Sequence, residues 1–202
     1  MNAKRRILGI NGSYRDGGIT DQAVASLSEA LRAAHIDVEE IRLRDYPIEF
    51  CLNCRECMQQ PGEAPGRCVH DDGMADLVAK IEAADGYILA APTNQSTVTA
   101  LFKRFSERLA VYAYWPWDNP APQYRKAEAP KKPTVIMWSC AAPGIMGRFA
   151  FSTGKNLKAA ASAIGGRVVG SVVTGLVPRD PKPALPERTR RKAAALAAKL
   201  AA

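Results

Sequence analysis

Apolar residues along this chain follow two rhythms, short unbroken runs and runs spaced by three and four. Residues 5–11 carry Ile7, Leu8 and Ile10 and stop at Gly12, which predicts a buried strand. From Thr20 to Ala34, Val24, Leu27, Leu31 and Ala34 share one helical face, with Thr20 or Asp21 as the expected N-cap. A second strand is expected over 36–43, where Ile36 and Val38 alternate. Met74, Leu77, Val78 and Ile81 predict a helix over 73–84, and 86–91 (GYILAA) reads as a third buried strand. The polar stretch 92–97 (PTNQST) then reads as a loop opening into a helix that carries Val98, Leu101, Phe102, Phe105 and Leu109 on one face. Asn, Ser and Thr at its start, Asn94 and Ser96 among them, are the expected caps and donors. Further on come a strand over 134–140, a small-residue loop over 141–147, a helix over 152–164 and a strand over 167–173. Pro178, Pro181, Pro183 and Pro186 punctuate a linker before an alanine-rich, basic helix over 187–201.

Strands that alternate with helices predict a doubly wound α/β sheet in a single domain. Two strand orders compete, 2-1-3-4-5 and 3-2-1-4-5-6. Polar, small-residue loops follow the first, third and fourth strands. Only the order 2-1-3-4-5 makes those three strands neighbours, so that their loops line one crevice. The first loop also lacks the G-x-G-x-x-G of dinucleotide sites, reading Gly9-Ile10-Asn11-Gly12-Ser13-Tyr14. A flavodoxin-like three-layer fold with a mononucleotide in the crevice follows. Ser13, Arg15, Gly18 and Thr20 are the expected phosphate binders, because a glycine-rich loop at a helix N-terminus offers amides, hydroxyls and partial positive charge.

Composition adds limits. The chain has 202 residues, 47% of them hydrophobic, with a formal net charge of +8. That length supports a full core without disulfides. No run approaches the roughly 18 apolar residues of a membrane span, and the first residues lack a secretory apolar core. A cytoplasmic protein without membrane or nucleic-acid partners is expected. The basic surface suits anionic cofactors.

Taken together, Gly12-Ser13-x-Arg15-x-Gly17-Gly18-x-Thr20 and the stretch from Pro92-Thr93-Asn94 through Val98-Thr99-Ala100 to Lys103 and Glu107-Arg108-Leu109 resemble the flavodoxin-like NADPH-dependent FMN reductase family. Its iron–sulfur flavoprotein branch is included, through C-x-x-C-x-x-C ending near Asp71-Asp72. The resemblance covers most of 5–175. It implies FMN as cofactor and NAD(P)H as co-substrate. Pro92, Thr93, Asn94, Gln95 and Ser96 would lie along the flavin ring, and Ser139, Cys140, Ala141 and Gly144 would complete the pocket. Where many members carry an aromatic, this chain has Asn94-Gln95. Tyr14, Trp138 or an aromatic of a partner subunit is the expected substitute.

Flavin hydride transfer needs no acid–base pair, so no catalytic residue is named, and neither His35 nor His70 is given such a role. Cys51, Cys54, Cys57 and Cys68 could hold an iron–sulfur cluster or zinc, but ten residues separate Cys57 from Cys68. Free or redox-active thiols are the preferred reading, with no metal ligand named. Cys140 reads as a small buried residue. Residues 112–133, with two Trp, three Tyr and five Pro, form a long irregular excursion. It either covers the chain's own apolar surface or joins a homo-oligomer interface, a dimer or tetramer. The expected function is FMN-dependent transfer of hydride from NAD(P)H to a small acceptor such as a flavin or quinone. The alternatives are an iron–sulfur flavoprotein in electron transfer and a non-catalytic flavin-binding module.

Overall fold

The computed structural model describes residues 4–176 and 181–202. In chain order, β1 (Arg6–Asn11) leads through the glycine-rich loop to α1 (Ile19–Ala33), and β2 (Asp37–Arg42) follows. A long segment without regular structure, apart from one short 3-10 turn at Glu56–Met58, carries the cysteines to α2 (Met74–Ala83). Next come β3 (Gly86–Asn94), the short β4 (Thr97–Val98) and α3 (Ala100–Arg108). The aromatic excursion holds a small ribbon of β5 (Ala113–Tyr114) and β6 (Gln123–Tyr124). The chain continues with β7 (Lys132–Ser139), α4 (Gly144–Phe149), α5 (Thr153–Ala163), β8 (Gly166–Thr174), α6 (Glu187–Ala195) and α7 (Ala197–Ala201).

The main strands pair in parallel in the order β2-β1-β3-β7-β8, which is the flavodoxin-like 2-1-3-4-5 arrangement. Strand side chains alternate between faces, and each face is apolar because helices cover both. Leu8, Ile10, Tyr87, Leu89, Ile136 and Trp138 pack on the side of α2, α3 and α5. Ile7, Ile88, Ala90, Val135, Met137 and Val172 pack against α1, α6 and α7. Among the described residues, no helix is long and apolar enough to cross a membrane.

Four local features depart from expectation. The stretch 92–97 is not a plain loop: β3 runs on to Asn94 and folds back on β4, pairing Thr93 with Val98 and Asn94 with Thr97. Helix α3 is therefore capped by Thr99, whose hydroxyl accepts from the Phe102 amide, and not by Asn94 or Ser96. A short helix, α4, occupies part of the expected 141–147 loop. The final helix is two, divided at Leu196. Of the linker prolines, Pro178 lies outside the described residues.

The two turn residues of the β3–β4 hairpin, Gln95 and Ser96, have φ of 45° and 65°. Two successive positive φ values are the type I′ pattern, which Asn-Gly fits with least steric cost. Replacing Gln95-Ser96 by Asn-Gly should therefore raise stability by roughly 1 kcal/mol. A shift of the urea midpoint to higher concentration checks this, and an unchanged midpoint counts against strain at the turn.

The aromatic ribbon packs on its own chain. The Trp115 amide donates to the Met58 carbonyl at 2.9 Å. The Arg55 guanidinium lies 3.8 Å from the Trp115 ring centroid and 4.5 Å from that of Trp117, a double cation–π contact. The ribbon and the cysteine segment thus hold each other in place.

Candidate functional site

The carboxyl ends of β1, β3 and β7 are neighbours in the sheet, and the residues that leave them enclose one cleft of about 320 Å³. Ser13, Tyr14 and Arg15 form one wall with Gly18, Ile19 and Thr20 at the start of α1. Pro92, Thr93 and Asn94 form a second wall, and Ser139, Cys140 and Ala141 a third. Three sequence-named residues stand apart from these walls. Gln95 and Ser96 sit at the hairpin turn, and Gly144 opens α4.

At the cleft floor the hydroxyls of Thr20 and Ser139 face each other at 3.2 Å, and the two residues are only 3% and 6% exposed. Thr20 is not the N-cap of α1. Gly18 holds that position, and no side chain caps the helix. The first helical hydrogen bond runs from the Gln22 amide to the Gly18 carbonyl at 2.9 Å. The amides of Ile19, Thr20 and Asp21 consequently have no carbonyl one turn back, and the helix end carries partial positive charge. Asp21 does not cap either, because its carboxylate is used within the loop. One oxygen accepts from the Asn11 side chain at 2.6 Å, and the other accepts from the Gly17 amide at 3.0 Å.

The loop itself is held from within. The Ser13 amide donates to Asn11 Oδ1 at 2.9 Å, and the Arg15 amide donates to the Ser13 hydroxyl at 3.2 Å. The Arg15 guanidinium, expected to face an anion, donates instead to the Pro181 carbonyl. Behind the loop, the Thr99 hydroxyl donates to the Gly12 carbonyl at 2.6 Å and ties the start of α3 to the cleft. On the second wall, the Thr93 hydroxyl is held 2.8 Å from that of Thr153, at the start of α5.

Of the two aromatics of this chain named as ring partners, the structure brings one to the cleft. Tyr14 lines it and is 53% exposed. Trp138 is buried, and its indole N–H donates to the Gly147 carbonyl at 3.1 Å. Ile19 is a wall residue that loop reasoning missed, since an apolar residue at a first helical position carries no chemical signal.

Cys51, Cys54, Cys57 and Cys68 converge, with His70, on a separate small cavity of about 20 Å³. All are free thiols. Burial, and then the neighbouring Cys68, Cys51 and Cys54, push the Cys57 thiol up to about 11. At neutral pH, with nothing bound, it is therefore protonated. Among the described residues, no three His, Cys, Asp or Glu stand together in an arrangement that could hold a metal ion.

A family model described as NADPH-dependent FMN reductase matches residues 5–174. The chain belongs to this family. An iron-sulfur flavoprotein of Archaeoglobus fulgidus is 31% identical over 111 residues, 55% of this chain and 48% of that protein. Another, from Methanosarcina thermophila, is 28% identical over 103 residues, 51% of each chain. This chain spans about half the length of the curated relatives it matches. Among solved structures, an NAD(P)H:quinone oxidoreductase from Methanothermobacter marburgensis superposes with a TM-score of 0.71 at 17% identity, covering 98% of this chain and 96% of that one. An FMN-dependent NADH-azoreductase from Bacillus anthracis, in complex with FMN, gives 0.69 at 11% identity, covering 98% and 100%. These likenesses establish the flavodoxin-like fold of this FMN reductase family member.

Proposed function

We propose that this protein is an FMN-dependent NAD(P)H oxidoreductase that reduces a small planar acceptor such as a quinone, a flavin or another electron-poor aromatic. The observation that carries the reading is the convergence of three loops on a cleft whose floor is an uncapped helix N-terminus. A phosphate suits that floor, because the amides of Ile19 and Thr20 and the hydroxyls of Thr20 and Ser139 offer donors where helix polarity favours negative charge. Arg15 adds charge if it exchanges the Pro181 carbonyl for the anion.

The second and third walls would hold the ring. Pro92–Asn94 present strand backbone and the Asn94 amide to its polar edge. Ser139–Ala141 are small enough for close approach. Tyr14 forms an aromatic side wall against which a ring can stack. When bound, FMN supplies the two-electron chemistry, taking hydride from the nicotinamide and passing electrons to the acceptor. The chain's own contribution is binding and orientation. We further read the protein as a homo-oligomer, with Trp117 and Tyr124 exposed on the ribbon as its contacts.

Spectroscopy of the purified, anaerobically handled protein tests this. FMN should bind stoichiometrically, NADH or NADPH should bleach its absorbance, and a quinone should restore it. Stoichiometric iron and sulfide alongside the flavin would favour single-electron transfer instead. Absence of any FMN affinity would remove the proposal altogether.

A further inference from the structure

Arg44 lies just beyond β2, some thirty residues from the glycine-rich loop in sequence, and reaches that loop from behind. Its Nη1 donates to the Ser13 carbonyl at 3.1 Å and to the Arg15 carbonyl at 3.4 Å. Its Nη2 donates to Asp16 Oδ1 at 2.7 Å and to Asp21 Oδ2 at 3.2 Å. The Arg44 side chain is 12% exposed, and that of Asp21 is 10% exposed. One guanidinium therefore gathers the first residues of the loop, its midpoint and the first turn of α1.

Two consequences follow from elementary geometry and charge. In a trans peptide the C=O of one residue and the N–H of the next point in opposite directions. Drawing the Ser13 and Arg15 carbonyls toward Arg44 turns the Tyr14 and Asp16 amides away from it. Neither amide has an acceptor among the described residues. Asp16 and Asp21 would also repel an incoming phosphate if left as bare carboxylates; Arg44 pairs with both, and Arg42 adds a second ion pair to Asp16 at 3.4 Å.

We propose that Arg44 is the positioning residue of the anion loop. It presents unpaired amides and pairs with two carboxylates, so that the loop accepts a phosphate monoester without Arg44 touching it. This rests on the FMN reading of the cleft. A lysine at this position would keep the charge. A single ammonium cannot span two carbonyls and two carboxylates as a planar fork does.

The test compares FMN with riboflavin, which has the same ring and no phosphate, in titrations of the wild type, Arg44→Met and Arg44→Lys. The wild type should prefer FMN. Arg44→Met should lower the FMN-to-riboflavin affinity ratio at least tenfold while leaving riboflavin binding nearly unchanged, and Arg44→Lys should lie between. Equal losses for both ligands would reveal a merely structural role and overturn the proposal, as would a ratio unchanged in Arg44→Met. If Arg44→Met does not fold, Arg44→Lys decides alone, and a wild-type ratio there overturns the fork. A wild type with no preference for FMN would instead defeat the FMN reading itself, so the two failures are distinguishable.

Discussion

Asp72→Ala should destabilise the protein by about 3–5 kcal/mol at neutral pH, because it strands a buried cation. Arg108 is 1% exposed, and its guanidinium grips Asp72 through two bonds of 2.6 and 3.0 Å. Its remaining contacts are the Glu49 carbonyl at 2.9 Å and the Cys68 sulfur at 3.4 Å. Asp72 also accepts from the Glu49 amide at 2.8 Å and from the Met74 amide, at the start of α2, at 3.0 Å. One carboxylate thus joins the cysteine segment to α2 and α3. Burial raises the Asp72 pKa, but the Arg108 hydrogen bonds and the two amides outweigh it and hold the carboxyl at about 2. An unfolded aspartate titrates near pH ~3.9. The folded value is the lower one, so the stabilisation is fully present above about pH 4 and fades as pH falls toward 2. Urea unfolding of wild type and variant across that window checks the claim. The gap between their midpoints should be large at pH 7 and shrink below pH 4. A gap of constant size would show that the ionised carboxylate is not its source.

Gly12→Ala should lower FMN affinity at least tenfold and stability by roughly 1–3 kcal/mol, the usual cost of overpacking a filled site. A Cβ on Gly12 would stand 2.7 Å from Phe102 Cβ and 3.3 Å from the Thr99 hydroxyl. Phe102 Cβ is the root of a buried side chain and cannot swing aside, so the loop or α3 must shift. The same residue donates its amide to the Ala90 carbonyl at 2.8 Å and receives the Thr99 hydroxyl at its own carbonyl. Any shift therefore propagates into the loop carrying Ser13 and Arg15. Titration by flavin fluorescence, paired with a thermal melt, separates the two effects. An unchanged Kd in a folded variant would mean that the loop tolerates displacement and that its shape is not what recognises the ligand.

Much of the architecture is legible in the sequence, because burial imposes period. Ile7, Leu8 and Ile10, or Ile88 and Leu89, are apolar on both sheet faces since helices cover both, and such runs admit few readings. Helix α1 is equally plain from Val24, Leu27 and Leu31. What escaped has local or distant causes. Gln95-Ser96 lacks the Asn-Gly signature of a tight hairpin, so the end of β3 and the start of β4 read as a loop. Helix α4 has only six residues, and its Ile145 and Phe149 are exposed, leaving no buried stripe to detect. Asp21 looks like a cap but is claimed by Asn11 and Arg44, a competition that only the fold reveals. Arg44 itself gave no local signal, since its partners lie across the β1–β2 edge.

Arg125 carries a different consequence. Its guanidinium donates to the carbonyls of Val111, Gly62, Cys57 and Gln60, while its own amide donates to Tyr112. Four backbone oxygens converge on one interior cation, in the manner in which carbonyl cages surround alkali ions. The meander of 57–62 is thus templated by a guest that the polypeptide brings with it. Its path is written in carbonyl oxygens gathered on one guanidinium.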